Sequence, residues 1–199
     1  MSADDVIKAW DQADPTAIHP LRQVSEDAYW DSGRAQADML ATVIPDGVKV
    51  MDFGAGDGRV AIPLAALGYE VTAVDSSQNM LDRLTERAPD LTTVQADADG
   101  IAGHLGRRRM DAVYSLAVLI HHSHQDCLHI IGKLRAATKL GGILVLDWPL
   151  SDTPAEADSW IGVTTWSPQQ QSEACTELGL EPVESDLPWG VYRAVKVDS

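Results

Sequence analysis

VKVMDFGAGDGR, residues 48–59, decides how this chain is read. A short apolar, β-branched run ends in Gly54, Gly56 and Gly58, spaced G-x-G-x-G. The run is short and bounded by glycines, so it reads as a buried strand over 48–53. Glycines directly after a strand let the backbone turn tightly and approach a ligand with no Cβ in the way. The dinucleotide fingerprint G-x-G-x-x-G needs glycine at 59, where Arg59 stands.

The pattern repeats outward from this stretch. YEVTAVD (69–75), LTTVQAD (91–97), MDAVYSLAVL (110–119, with its exit) and ILVLDWP (143–149) read as the next four strands. RVAIPLAAL (59–67) has helical spacing and stops at Gly68, and SQNMLDRLTERA (77–88) is an amphipathic helix opened by Ser76 or Ser77. A short, poor helix falls around 100–106. QDCLHIIGKLRAAT (125–138) puts Leu128, Ile131 and Leu134 on one face and ends at Gly141-Gly142. Beyond Pro149 a polar loop (150–166) carries Trp160 and Trp166, and Ser167 with Pro168 opens a helix over 167–179. LEPVESDL (180–187) and GVYRAVKV (190–197) are joined tightly through Pro188-Trp189-Gly190, which makes them antiparallel neighbours.

Strands alternating with helices predict an α/β fold: a doubly wound, mostly parallel seven-stranded sheet with helices on both faces and a C-terminal antiparallel hairpin. Residues 3–13 and 34–43 look helical and would cover the C-terminal strand ends. The expected organisation is an N-terminal cover over 1–44 and a sheet domain over 45–199.

Composition bounds the partners. The net charge is −15, with 30 acidic against 15 basic residues, and the sole basic run is Arg107-Arg108-Arg109. Affinity for a phosphate backbone comes from clustered Lys and Arg, so the charge argues against a nucleic-acid partner. No apolar run reaches the roughly 18–20 residues of a membrane span. The acidic opening MSADDVIKAW lacks the order of a signal peptide, so a cytoplasmic protein is expected. The two cysteines, Cys127 and Cys175, form neither a disulfide framework nor a CxxC pair. Oligomeric state is not readable.

In open α/β sheets ligands bind beyond the carboxyl ends of the strands, where strand order reverses. Asp75 ends the second strand, 17 residues past Gly58, where a carboxylate can accept both hydroxyls of a ribose. Asp97 ends the third, suited to accept from an adenine amino group or to cap the helix that follows. In order and spacing, VMDFGAGDGR, VTAVDSS…ML, VQADA and MDAVYSLAVLIHH…LGGILVLDWP resemble the class I S-adenosylmethionine-dependent methyltransferases, over roughly residues 25–198. The resemblance is nearest to the small-molecule group similar to ubiquinone-biosynthesis enzymes.

That resemblance implies roles, position by position. Asp52 would brace the glycine loop, while Gly54, Gly56 and Asp57 would line the amino-acid end of S-adenosylmethionine. Asp75 would take the ribose, with Ser76 and Met80 near the adenine and Asp97 and Ala98 reading its edge. Leu116 and Ala117 would pass beside the sulfonium. EDAYWDSGR (26–34) resembles the family's lid stretch, so Tyr29, Trp30 and Arg34 would contact the methionine moiety or the substrate; Tyr29 and Trp30 read equally well as packing aromatics. The implied activity is methyl transfer to oxygen or nitrogen of a small-molecule acceptor. The alternative is a non-catalytic module that binds the cofactor for a partner or as a sensor.

LIHHSHQDCLH (119–129) holds four of the six histidines. His121 and His122 follow the fourth strand by one loop and are candidate bases or acceptor-orienting groups. His124 and His129 fall on the next helix and do not converge with them, and Cys127 reads as a small core residue. No metal site is expected: zinc needs three or four ligands aimed at one point, and Asp147 lacks matching acids after the fourth strand. Trp148, Trp160 and Trp166 are candidates for an acceptor wall or for core.

Overall fold

The computed structural model describes residues 8–10, 17–19, 22–159 and 162–197. The expected first helix and Trp160 therefore lie largely or wholly outside the described residues, although Lys8–Trp10 are helical. A two-stranded ribbon, β1 (Ala17–His19) and β2 (Arg22–Gln23), precedes the first long helix and has no counterpart in the sequence reading.

Helix α1 runs from Glu26 to Ala41, eight residues earlier than the apolar spacing suggested. Ser25 caps it by accepting from Ala28 N, and Glu26 and Asp27 complement the positive end of its dipole. Tyr29, Gly33, Ala37 and Leu40 form its buried stripe. The polar lid stretch is thus the first half of this helix.

The main sheet follows: β3 (Lys49–Phe53), α2 (Ala61–Ala66), β4 (Glu70–Asp75), α3 (Gln78–Arg87), β5 (Thr92–Gln95), α4 (Ile101–Leu105) and β6 (Met110–Ser115). A 3₁₀ turn, Leu119–His121, leads into α5 (His124–Ala137), and the chain closes with β7 (Thr138–Leu146), α6 (Pro168–Leu178), β8 (Leu180–Pro182) and β9 (Gly190–Ala194). The strand order is β5-β4-β3-β6-β7-β9-β8, with β9 antiparallel to both β7 and β8 and the other pairs parallel. This is the expected seven-stranded, doubly wound sheet. Both faces are covered: Met51, Val113, Leu144 and Leu146 meet Ile131 and Leu134 on one side. Val50, Ala112 and Val145 share the other core with Leu40, Leu64 and Leu84. Parallel strands buried on both faces need such continuous apolar runs.

Two boundaries differ from expectation. Strand β7 starts directly after α5 and runs through Gly141-Gly142. Gly141 has φ +79°, a Cβ at Gly142 would stand 2.6 Å from the Asp111 carbonyl oxygen, and the β6–β7 register shifts there, so the glycines serve an irregular strand start. The final hairpin is not tight: β8 ends at Pro182, and pairing closes where Val183 N donates to Val191 O. Residues 184–189 form the connection, and Pro188 has no N–H to extend the ladder. No helix among the described residues is long and apolar enough to cross a membrane.

Candidate active site

Strand order reverses between β3 and β6, and a cavity of about 330 Å³ opens over the carboxyl ends of these strands and of β4 and β5. Its floor is the glycine loop. The N–H groups of Gly54 and Ala55 both donate to Val74 O, which folds the loop back onto β4. Gly56 has φ +55° with open space where a Cβ would be, so its backbone faces the cavity bare. Gly54 has φ +80°, and a Cβ there would collide with Val118.

Asp75 is tied to this loop from the next strand. Its Oδ2 accepts from Gly56 N and its Oδ1 from Ser77 N, each at 2.8 Å. Two backbone donors orient both oxygens, and a carboxylate has about four acceptor sites in all. Ser77 also caps α3 by accepting from Met80 N. Asp97 lines the cavity while its Oδ1 accepts from Gly100 N, one turn ahead of α4, whose cap is Gly100 itself and not Asp97.

Asp52 is buried beneath the loop and accepts from Tyr114 Oη at 2.7 Å. Burial pushes its carboxyl up to about 7, against the pull of that hydrogen bond, and nearby Asp75 adds to the rise. The Asp52–Tyr114 pair bridges β3 and β6 under the cavity.

The cover helix is locked onto the loop. Tyr29 Oη donates to Asp57 Oδ1 at 2.6 Å, while Oδ2 lies 3.3 Å from Arg87 Nη1 in an ion pair. Arg59 Nη1 donates to Ser32 Oγ at 2.9 Å, with its guanidinium over the Tyr29 ring. Arg87 lies over Trp30, and Gly33 is where the helix backbone meets the Arg59 carbonyl. Burial and the Asp57 charge hold the Tyr29 phenol well above its ordinary range, so it remains a donor. Arg59, which breaks the dinucleotide fingerprint, therefore serves the cover.

Beyond β6 the chain makes a strained turn: Ala117 is at φ +58°, and its N–H donates to Asp147 Oδ2 at 3.2 Å. His121 is buried, with Nδ1 3.2 Å from Gly162 O and its ring 5.9 Å from that of Trp10. Burial holds the His122 imidazole below the ordinary histidine range, although Asp126 pulls it upward.

The comparisons with known proteins agree with this geometry. Residues 50–142 match the family described as "Methyltransferase domain". Over that stretch, just under half of the chain, the protein is similar to that family. Among relatives, the tRNA 5-carboxymethoxyuridine methyltransferase of Escherichia coli is 29% identical over 114 residues, 54% of this chain and 42% of that one. A ubiquinone biosynthesis O-methyltransferase of Cereibacter sphaeroides is 23% identical over 166 residues, 74% of this chain and 66% of that one. The 1,6-didemethyltoxoflavin-N1-methyltransferase of Burkholderia thailandensis, solved with bound 1,6-didemethyltoxoflavin and S-adenosylhomocysteine, has a TM-score of 0.65 at 19% identity. That likeness covers 86% of this chain and 80% of the other, and it concerns the fold. The chain spans less than half the length of the E. coli relative.

The cavity gathers every residue expected to bind the cofactor, and both His121 and His122, with Trp30 and Arg34 the two exceptions. Trp30 packs edge-on against Tyr29, and Arg34 is exposed and paired with Asp31 on its own helix, so both turn away. The helix phase decides this: Tyr29 and Gly33 share the buried stripe, and their successors rotate off it. Of the two readings left open for Trp148 and Trp166, the structure favours core: they pack against each other at 5.3 Å and do not line the cavity. Of the helix histidines, His124 Nε2 meets Thr165 O, whereas His129, whose Nε2 meets Asp99 Oδ1, lines the cavity with His121 and His122, against the expectation that it would not converge with them. Cys127 is core, its thiol donating to Leu119 O. Sequence reasoning missed Trp10 and Arg59 as cavity residues, and the only signal for them was the helical cover and the broken fingerprint.

Proposed function

We propose that this protein transfers a methyl group from S-adenosylmethionine to oxygen or nitrogen of a small-molecule acceptor. The observation that carries the reading is the Asp75 carboxylate, oriented by Gly56 N and Ser77 N beside a glycine turn that leaves open space. A ribose diol suits that carboxylate, and the bare Gly56 backbone admits the amino-acid end. Asp97 and Ala98 suit the adenine edge, with Ser76 and Met80 beside it. Asp57, already engaged by Tyr29 and Arg87, holds the cover over this end.

Bound S-adenosylmethionine supplies a methyl group already activated by its sulfonium, so the chain must chiefly align an acceptor. Leu116 and Ala117 border the transfer region. His122, neutral at pH 7, and His121 are placed to orient an acceptor and take its proton. Arg59 is the only lysine or arginine among the described cavity-lining residues, and it is engaged with Ser32 and Tyr29. That supports a neutral or cationic small acceptor over a polyanion. A cytoplasmic location and a division into cover (1–44) and catalytic domain (45–199) belong to the same reading.

The test is calorimetric titration with S-adenosylhomocysteine, followed by an assay of its release from S-adenosylmethionine over neutral and cationic amines, phenols and alcohols. Binding with acceptor-dependent release is expected. Absence of binding at millimolar ligand sinks the proposal.

A further inference from the structure

The ends of segment 149–166 are tied together: Ser151 N donates to Trp166 O, and Trp166 N donates to Pro149 O. From it, one stretch reaches back across the chain to the histidine pair. Thr164 is 1% exposed, although a hydroxyl residue in a surface loop is ordinarily solvated. Its N–H donates to Ile120 O at 2.7 Å and its Oγ1 to His122 O at 2.5 Å. The same Oγ1 accepts from Ala157 N at 2.9 Å, so the hydroxyl both donates and accepts. Two residues earlier, Gly162 O stands 3.2 Å from His121 Nδ1. A carbonyl only accepts, so Nδ1 must carry the proton and the basic lone pair of neutral His121 is on Nε2.

We propose that Thr164 is the positioning residue of the His121–His122 pair. Two of its three hydrogen bonds fix the backbone on both sides of His121, the third ties it to Ala157 N, and together they hold Gly162 where its carbonyl selects the Nδ1–H tautomer. The residue touches no reacting atom; it acts through the histidines. The use of this arrangement in acceptor alignment rests on the proposed methyl transfer, but the arrangement itself does not.

The experiment is nitrogen NMR of the imidazoles in full-length protein, needing no acceptor. In the wild type, His121 is expected in the Nδ1–H form; an Nε2–H signature overturns the proposal whatever the variants do. In Thr164→Val, which keeps shape and loses the hydroxyl, the His121 signal is expected to lose its single-tautomer signature. Thr164→Ser is expected to restore it. A folded Thr164→Val with unchanged imidazole signals contradicts the assignment. Titration of the same samples with S-adenosylhomocysteine keeps the two readings apart: affinity within twofold of wild type in Thr164→Val is expected. Failure of wild-type protein to bind counts against methyl transfer and leaves the tautomer result standing. A selective loss of binding in Thr164→Val counts against a role confined to the histidines.

Discussion

The two halves of the cavity are built differently. Over β4 and β5, polar groups are held by partners close in the chain: Asp75 by Ser77 two residues on and Gly56 nineteen back, Asp97 by Gly100 three on. Beyond β6, the chain is held from far away: Ala117 by Asp147 across 30 residues, His121 by Gly162 across 41, His122 by Thr164 across 42. A half held locally can present one constant ligand in many chains. A half held by a remote loop can be reshaped by changing that loop.

Asp52 and Tyr114 sit on the seam and carry the largest expected effect. With its carboxyl held up to about 7, Asp52 binds a proton in the fold that it sheds near pH 4 when unfolded. Its stabilising share is complete below pH 4 and is lost as pH rises through 7, by roughly 4 kcal/mol at about 1.4 kcal/mol per unit. Asp52→Asn keeps an acceptor for Tyr114 and should flatten that decline. Urea midpoints of both proteins from pH 5 to pH 8 measure it, and parallel curves would mean that Asp52 is ionised in the fold.

One substitution in two places then separates the halves. Gly54→Ala adds strain at positive φ and drives a Cβ into Val118, so a loss of about 2–4 kcal/mol is expected. Gly56→Ala meets open space and should lose about 1 kcal/mol, from backbone strain alone. Equal losses would show that the glycine loop does not bear on the segment beyond β6.

The smallest effect has the opposite sign. Ala117 holds a left-handed conformation that glycine adopts freely, so Ala117→Gly should raise stability by roughly 0.5–1 kcal/mol. Thermal unfolding checks it, and a decrease would mean that the methyl group packs usefully enough to outweigh the strain.

The same contrast explains what could be read from the sequence. The strand, the glycine loop, Asp75 and Asp97 were legible because strand ends and spacing place them with no knowledge of tertiary contacts. Their family resemblance has the same local basis. Trp30 and Arg34 lie outside the cavity lining because the lid stretch is helical from Glu26, which rotates them off the buried stripe. Trp148 and Trp166 face the core because they close on each other and Trp148 closes on Tyr192, contacts set by the packing of β7, β9 and the loop. Nothing near Thr164 in the chain announces that it reaches His122.

The most direct test of the central claim is Asp75→Ala titrated with S-adenosylhomocysteine beside the wild type. Loss of charge-assisted hydrogen bonds should weaken binding by about 1.5–3 kcal/mol, roughly 10- to 150-fold. A variant that stays folded and binds as tightly as the wild type would contradict the placement of the cofactor over β4.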